Sequence, residues 1–582
     1  MGAAHSRVEG IVKASDYVAL FLRAQGVSHV FEVVGGMTTH LVDSLYRAGE
    51  VRLISMHHEQ AAAFAAEAAA RLTGIPGVAM ATSGPGATNL LTGIGSCYYD
   101  STPAVFITGQ VNRNEQKGRR NIRQLGFQET DIVSMARPVT KAAYRVRSAR
   151  QLATVLEEAF AAALTPRRGP VLVDIPMDVQ RAELSAPVPQ RTALQTTQAQ
   201  PSHAIEPLLR DLQNAQRPLI LAGGGIRASG AAEPFRVMAE RLAIPVVYSL
   251  MGVDALPSED PFHVGMIGTY GNRWANYALG HADFLLVLGS RLDVRQTGAD
   301  VAAFRHGKTI WQVDCDEGET NNRVPGCKTL IADLGAFFAA VSRLDNKTAG
   351  RWDPWVQEIG QWRQKWPDTA ENSDAPGINP NAFMHRLASA SRVAGAFVTD
   401  VGCHQMWAAQ SLELAHNQRL LTSGGMGSMG FALPAAIGAA FNLPGCPIVM
   451  IAGDGGMQMN IQELQTVLHH RLPIKMVVID NGAYGMVRQF QESYFEGRYP
   501  STLWGYSAPD FVRVAKAYGI DGECIQATHE EDAALGRLWD DPTKPYLLQV
   551  GVDTFLNVYP KVAFGRPITE MEPLPKATID EK

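Results

Sequence analysis

The chain lacks long apolar runs, paired cysteines, a leader-like start and any excess of basic charge. No apolar stretch approaches the roughly 18 residues needed to cross a bilayer, so no membrane span is expected. The opening MGAAHSRVEGIVKAS has no basic stretch leading into an apolar core. That argues against secretion and makes the cytoplasm the expected compartment. The six cysteines, Cys97, Cys315, Cys327, Cys403, Cys446 and Cys524, form no CxxC and no His-spaced pair. A zinc site and a disulfide framework are therefore excluded as expectations, and the thiols should be reduced. A net charge of −5 with interspersed signs offers no basic face for a phosphate backbone, which excludes nucleic acid and leaves a small molecule as the expected partner.

With 582 residues, 46% of them hydrophobic, the chain is long enough for three or four domains. Two polar stretches read as linkers, 184–203 and the Trp-containing but charged 344–380. They divide the chain into 1–183, 204–343 and 381–550, with a tail over 551–582. Each segment alternates short Val/Ile/Leu runs with helical patterns, which predicts an α/β fold of three doubly wound parallel-sheet domains. The predicted strands are HVFEVVGG, VRLISM, GVAMAT, PAVFITG and PVLVDIP in the first, and RPLILAGGG, IPVVYS, ADFLLVLGS and TIWQVDCD in the second. GAFVTDVG, PIVMIAGDGG, IKMVVIDN and YLLQVGV complete the set in the third. In such sheets ligands gather beyond the carboxyl ends of the strands, so the loops there are where chemistry is expected.

One of those loops is IAGDGGMQMN. Gly453, Gly455 and Gly456 flank Asp454 at a strand end, and a second strand delivers Asn481 to the same sheet edge. Glycines let backbone approach a diphosphate, a helix N-terminus supplies amide donors, and a carboxylate with an amide oxygen suits octahedral Mg²⁺. Taken alone, GDG is as readily a tight turn with a capping Asp. The whole stretch GDGGMQMNIQELQTVLHHRLPIKMVVIDN resembles the motif of thiamine diphosphate enzymes, with Asp480 in place of the first residue of the terminal Asn pair. That resemblance implies Asp454, Asn481 and the Ala483 carbonyl as Mg²⁺ ligands.

A second constellation is SMHHEQAAAFAAEAAARLTG, where a strand runs into Glu59 and an Ala-rich helix. By itself Glu59 is an acid favourably placed at a helix N-terminus. In the thiamine diphosphate family a Glu in this setting hydrogen-bonds the aminopyrimidine and relays the activating proton through the cofactor. With Glu59 in the first domain and Asp454 in the third, the resemblance implies a homodimer or homotetramer whose sites are completed between subunits.

Within that family, long stretches resemble the acetolactate (acetohydroxyacid) synthase catalytic large subunit. They are MATSGPGATNLLTGIGSCYYDSTPAVFITGQV, GFQETDIVSMARPVTK, TDVGCHQMWAAQ, SGGMGSMGFALPAAIGAAF and NGAYGMVRQFQESYFEGRYP. The resemblance implies that Met429 props the cofactor, Gly427 accepts from the aminopyrimidine and His404 meets the diphosphate. Gln110, Phe127, Gln128 and Lys141 would line the substrate side, Gln128 and Lys141 among the catalytic groups, with Met486 and Phe490 contributed by the third domain. Core packing is the plain alternative for Met429 and Phe127. In the middle domain the loop LAGGGIRASG, with Gly224 and Gly225, is a weak signal that often serves only helix-to-strand packing. GMIGTYGN and LGSRLDVRQTG resemble flavin-binding segments more specifically, and Arg291, Asp314 and Asp333 fall on matching positions, implying a structural FAD. Arg295 falls where the family meets the carboxylate of the incoming keto acid, and a guanidinium fork fits that group.

The implied activity is decarboxylation of pyruvate and ligation of the acetyl unit to a second 2-keto acid, giving 2-acetolactate or a related product of branched-chain amino acid biosynthesis. A regulatory subunit is compatible with it. Several residues depart from the family pattern: Glu32 for Gly, Val34 for Pro, Ala68 and Ala69 for Gly-Tyr, Cys403 for Gln, Tyr270 for His, and Phe490 for a Trp that favours 2-ketobutyrate. They leave open an alternative in which the acetyl unit passes to another ketone, such as a nucleotide-linked keto sugar. A non-catalytic cofactor-binding protein would be expected to lack Glu59 or the Mg²⁺ ligands, and all are present.

Overall fold

The computed structural model describes residues 10–192, 205–343 and 350–573 of the chain. Three six-stranded sheets form its frame, and within each all neighbouring strands are parallel. The α/β reading with three doubly wound sheets therefore holds. The first sheet runs Arg52–Ser55, His29–Val33, Gly77–Ala81, Ala104–Gln110, Pro170–Pro176, Ala142–Arg145. The third runs Arg419–Thr422, Ala396–Thr399, Ile448–Gly453, Ile474–Asp480, Tyr546–Gly551, Gly522–Ile525, which is the same order, counted along the chain, as the first. The middle sheet differs: His263–Met266, Val246–Tyr248, Pro218–Ala222, Phe284–Leu288, Thr309–Asp314, Lys328–Ile331 is the 3-2-1-4-5-6 order of dinucleotide-binding sheets.

The chain folds as two compact units. One holds the first sheet together with residues 423–445 and 460–472; the other holds the middle and third sheets. In the first unit the Ala-rich helix Glu59–Thr73 is buried on nearly every side. Helix Ala432–Asn442 lies along it so closely that a Cβ on Gly438 would come within 2.2 Å of the Ala65 carbonyl oxygen. Small residues on both helices permit that approach, and the Phe64 and Phe431 rings, 5.4 Å apart, fill the end of the seam. In the second unit Asp254 is buried between Arg227 and Arg419 and ties the middle sheet to the first strand edge of the third. Those guanidiniums outweigh the cost of burying the Asp254 carboxyl and hold it down at about 2.

The strands Ala142–Arg145, His263–Met266, Lys328–Ile331, Arg419–Thr422 and Gly522–Ile525 were not legible as apolar runs, and each is an edge of its sheet. An edge strand is short and partly solvated, so its sequence is not the continuous apolar run of a strand buried on both faces.

Both linker readings need correction. Within 344–380, Asp353–Lys365 is a helix with Trp352, Trp355 and Ile359 buried at its inner face. The Trp352 and Trp355 indole N–H groups donate to the Ala215 and Pro218 carbonyls. Averaged over the stretch the charge looked linker-like; the apolar residues at helical spacing were the informative feature. The stretch from 184 also begins in a strand, Glu183–Ser185, paired antiparallel with Ile11–Lys13, and Gln25 bonds both Gln190 and Thr192. The boundary at 183 thus falls inside a strand. The remaining parts of those stretches, 193–203 and 344–349, the N-terminal residues 1–9 and the tail 574–582 lie outside the described residues. The described part of the tail packs on the second unit, Val562 donating its N–H to the Thr269 carbonyl at 2.8 Å. No helix among the described residues is long and apolar enough to cross a membrane, and no disulfide joins their six cysteines.

Candidate active site

In the third sheet the chain order reverses between Ala396–Thr399 and Ile448–Gly453, which opens a crevice at their carboxyl ends. Asp454 leaves one lip, directly beginning the helix Asp454–Met459. Gly453 stands opposite Ile479 on the next strand, so Asn481 and Ala483 leave the sheet at the same edge. All three are buried. Burial, reinforced by the neighbouring Asp480 carboxylate, pushes Asp454 up to about 7. A buried acid facing a second acid is an unfavourable arrangement that a divalent cation relieves. Carboxylate, amide oxygen and backbone carbonyl are the hard donors Mg²⁺ takes, so the residues fit that ion.

A pH dependence follows. Asp454 in the folded chain holds its proton to higher pH than in the unfolded chain. Its contribution therefore favours the metal-free fold most in acid and is lost as pH rises through about 7. A cation needs the carboxylate form, so Mg²⁺ affinity should fall on the order of tenfold per pH unit below that point. Calorimetric Mg²⁺ titrations at pH 6 and pH 8 will show the difference; equal affinities would contradict it.

His404, on the other lip, begins the helix Cys403–Ser411 with its neighbour. Its ring lies over the backbone of Gly402 and Gly453, where a Cβ on either would come within about 3 Å of it. Burial lowers it to about 4, so the ring is neutral, and its Nε2 is buried with no hydrogen-bond partner. An unpaired buried nitrogen on this lip of the crevice fits the contact expected of His404. Cys403 is buried beside Asn481, and burial pushes its thiol up to about 12, which keeps it an inert thiol.

The second unit also brings together residues nearly two hundred positions apart. Thr269, Tyr270, Arg295, Met486, Val487 and Phe490 line one cavity of about 390 Å³. Arg295 sits on a short helix capped by Asp293, whose Oδ1 accepts the Arg295 N–H at 2.8 Å. Met486 and Phe490 project from the helix Gly485–Tyr494, and the Phe490 ring packs against Tyr494 at 4.6 Å. A single cation in an otherwise mostly apolar cavity is suited to a small carboxylate with an alkyl end.

In the first unit Glu59 opens its helix after His58, which caps it by accepting from the Gln60 N–H. Glu59 is buried, and Asn89 donates to its Oε2 at 2.9 Å. Asn89 was not anticipated; it lies at the end of the helix Pro85–Asn89, within the quoted TSGPGATN, but nothing local marked it out. Gln128 adopts φ of 65°, uncommon for a residue with a side chain, and its Cβ presses on Gly84 just before that helix. Gly427 takes φ of 68° in the loop that also carries the half-buried Met429. Asp100 organises this loop, accepting from the Gly424 and Gly425 N–H groups at 3.0 and 2.6 Å.

Other expected residues are committed elsewhere or lie open. Gln110 is buried and directs its amide to the Thr130 carbonyl, Asp174 and the Val111 N–H. Lys141 donates to the Thr165 carbonyl. Phe127 is 80% exposed and so is not core. In the middle sheet Asp333 caps the helix Leu334–Ser342, and Asp314 accepts from the Asp316 N–H. Gly224 stands where a Cβ would come within 2.9 Å of Met251, and Gly225 within 2.7 Å of the Gly289 backbone, so both serve close loop packing. Arg291 is largely exposed beside Asp293.

A switch-point carboxylate with an amide and a carbonyl in one unit, and a buried helix-opening glutamate in the other, define the class of thiamine diphosphate enzymes. Residues 12–135 match the family model for the N-terminal TPP binding domain of thiamine pyrophosphate enzymes, 205–341 the central domain and 400–550 the C-terminal TPP binding domain. The chain is 37% identical over 562 residues to the acetolactate synthase isozyme 2 large subunit of Escherichia coli (strain K12), covering 96% of this chain and 99% of that one. It is 37% identical to the acetolactate synthase large subunit of Parasynechococcus marenigrum (strain WH8102), over 95% of this chain and 90% of that one. For that of Lactococcus lactis subsp. lactis (strain IL1403) the identity is 34%, over 97% of both chains. The chain belongs to the acetolactate synthase large-subunit family of thiamine pyrophosphate enzymes.

Proposed function

We propose that the protein decarboxylates pyruvate and joins the acetyl unit to a second 2-keto acid, forming 2-acetolactate when pyruvate is also the acceptor. The observation that carries the acceptor assignment is the cavity in which Arg295 shares a wall with Met486 and Phe490. Its guanidinium is placed to take the acceptor carboxylate, and the apolar side to take the alkyl group. Thiamine diphosphate supplies, when bound, the nucleophilic carbon and the electron sink. Glu59, oriented by Asn89, holds and returns the proton at the aminopyrimidine. Asp454, Asn481 and the Ala483 carbonyl would hold a Mg²⁺ ion, and His404 would contact the diphosphate. Gly427 and Met429 position the cofactor, and Gln128 and Lys141 act from the substrate side.

The reading extends to a structural FAD on the middle sheet, supported by its 3-2-1-4-5-6 order and by Arg291 standing open at the carboxyl edge. It places the enzyme in the cytoplasm, in keeping with six cysteines that form no disulfide among the described residues. It takes the active form as a homodimer or homotetramer, with Glu59 of one protomer serving the diphosphate site of another, and it admits a regulatory subunit. Product analysis tests the reaction. Pure protein with pyruvate, Mg²⁺, thiamine diphosphate and FAD should release carbon dioxide and form 2-acetolactate. Carbon dioxide release that yields product only with an added ketone would move the assignment to another acceptor, and no release under any condition would refute the donor.

A further inference from the structure

The second oxygen of Asp454 is already engaged. Tyr506, from the segment after the helix Gly485–Tyr494, donates its phenolic O–H to Asp454 Oδ2 at 2.9 Å. We infer that Tyr506 is a positioning residue for the cation site, fixing the Asp454 carboxylate in one rotamer so that its other oxygen stays turned toward the metal. The inference rests on Asp454 being a cation ligand.

Three further observations support it. The Tyr506 ring is buttressed edge-on by Tyr484, with centroids 4.7 Å apart, and Tyr484 directly follows Ala483, whose carbonyl is the third expected ligand. Tyr484 is itself fixed, its N–H donating to the Thr502 carbonyl at 3.0 Å, so the segment that carries the phenol is pinned to the ligand loop. Finally, Gly455 has no room for a side chain. A Cβ there would stand 2.4 Å from the Tyr484 ring and 3.3 Å from the Tyr506 hydroxyl. The glycine after Asp454 therefore makes room for a tyrosine pair as well as for a diphosphate.

The physical need for such a donor is local. Asp480, beside Asp454, is held by Gln549 and the Gly482 N–H, so it cannot swing away, and the two neighbouring carboxylates repel each other when no cation is bound. A phenol donating to the outer oxygen of Asp454 offsets that repulsion and biases the free carboxylate toward the geometry the cation needs. Groups that orient a ligand in this way are worth about 10- to 100-fold in metal affinity.

The test is a Mg²⁺ titration of the full-length, metal-depleted protein at fixed thiamine diphosphate, read by tryptophan fluorescence, since Trp504 lines the same cavity as Tyr506 and Gly455. Tyr506→Phe should raise the half-saturating Mg²⁺ concentration by about 10- to 100-fold while the metal-free protein keeps its wild-type circular dichroism. Tyr484→Leu, which removes only the buttress, should shift it in the same direction by less. Asp454→Asn serves as the control for the underlying assignment. If it titrates like wild type, Asp454 is not the ligand and the assignment falls. If it loses Mg²⁺ dependence while Tyr506→Phe titrates like wild type or more tightly, the positioning role alone is overturned. Should Tyr506→Phe fail to fold, Tyr484→Leu decides: an unchanged titration there also overturns it.

Discussion

Glu59→Gln will lower the rate of pyruvate decarboxylation by about 10²- to 10⁴-fold, the range a positioned acid–base group contributes. The substitution preserves nearly everything else. The side chain keeps its length, its amide oxygen accepts from Asn89 as the carboxylate did, and the helix Glu59–Thr73 retains its His58 cap. What the fold loses is one negative charge at a helix N-terminus, worth about 0.3–1 kcal/mol. The loss of turnover is therefore separable from a loss of folding, and circular dichroism with single-turnover carbon dioxide release will separate them. Full activity in the variant would remove Glu59 from the mechanism.

Arg295→Gln should reduce kcat/KM for carboxylate-bearing acceptors by about 10- to 100-fold, because a hydrogen bond to a charged group is worth about 1.5–3 kcal/mol. Thr269 and Tyr270 are the other polar lining residues and neither carries a positive charge, so nothing in the cavity replaces the guanidinium. Carbon dioxide release from the donor should change far less, and that contrast identifies an acceptor effect. Phe490→Trp addresses the opposite wall of the preference. Phe490 leaves more volume than a Trp would, and apolar size discrimination is worth about 1–3 kcal/mol. The wild-type chain should show a weak preference for 2-ketobutyrate over pyruvate as acceptor, and Phe490→Trp should strengthen it. Direct competition between the two acceptors measures both; a strong 2-ketobutyrate preference in the wild type would sink the role given to Phe490.

The groups proposed for the site could be read from the sequence because each is tied to a local backbone event. Asp454 is read from glycines at a strand end, Asn481 from the end of the next strand, and Glu59 from a strand breaking into an alanine-rich helix. Asn89 and Tyr506 were not legible. Each acts by donating one hydrogen bond to a residue 30 or 52 positions away, and neither sits in a local pattern that demands it. Gln110 shows the converse. Its place in a signature stretch suggested a role toward substrate, yet its amide is directed to Asp174, the Thr130 carbonyl and the Val111 N–H inside the first sheet. Five of the six edge strands and the tryptophan helix Asp353–Lys365 were missed for a related reason, since half-solvated elements dilute the apolar signal on which the other strands, Arg52–Ser55 among them, were found.

By itself, then, the order of residues determined the class of fold, the position of the carboxylates beyond the strand ends, and membership in a thiamine diphosphate family. These depend on runs of apolar side chains and on glycines at strand ends, which are short-range properties of the chain. Only the tertiary structure decided which distant residues share a wall. It placed Arg295 with Phe490, gave Asp454 its tyrosine, and set Asn89 on Glu59, because such pairings follow from how the sheets and helices pack rather than from the spacing of residues along the chain.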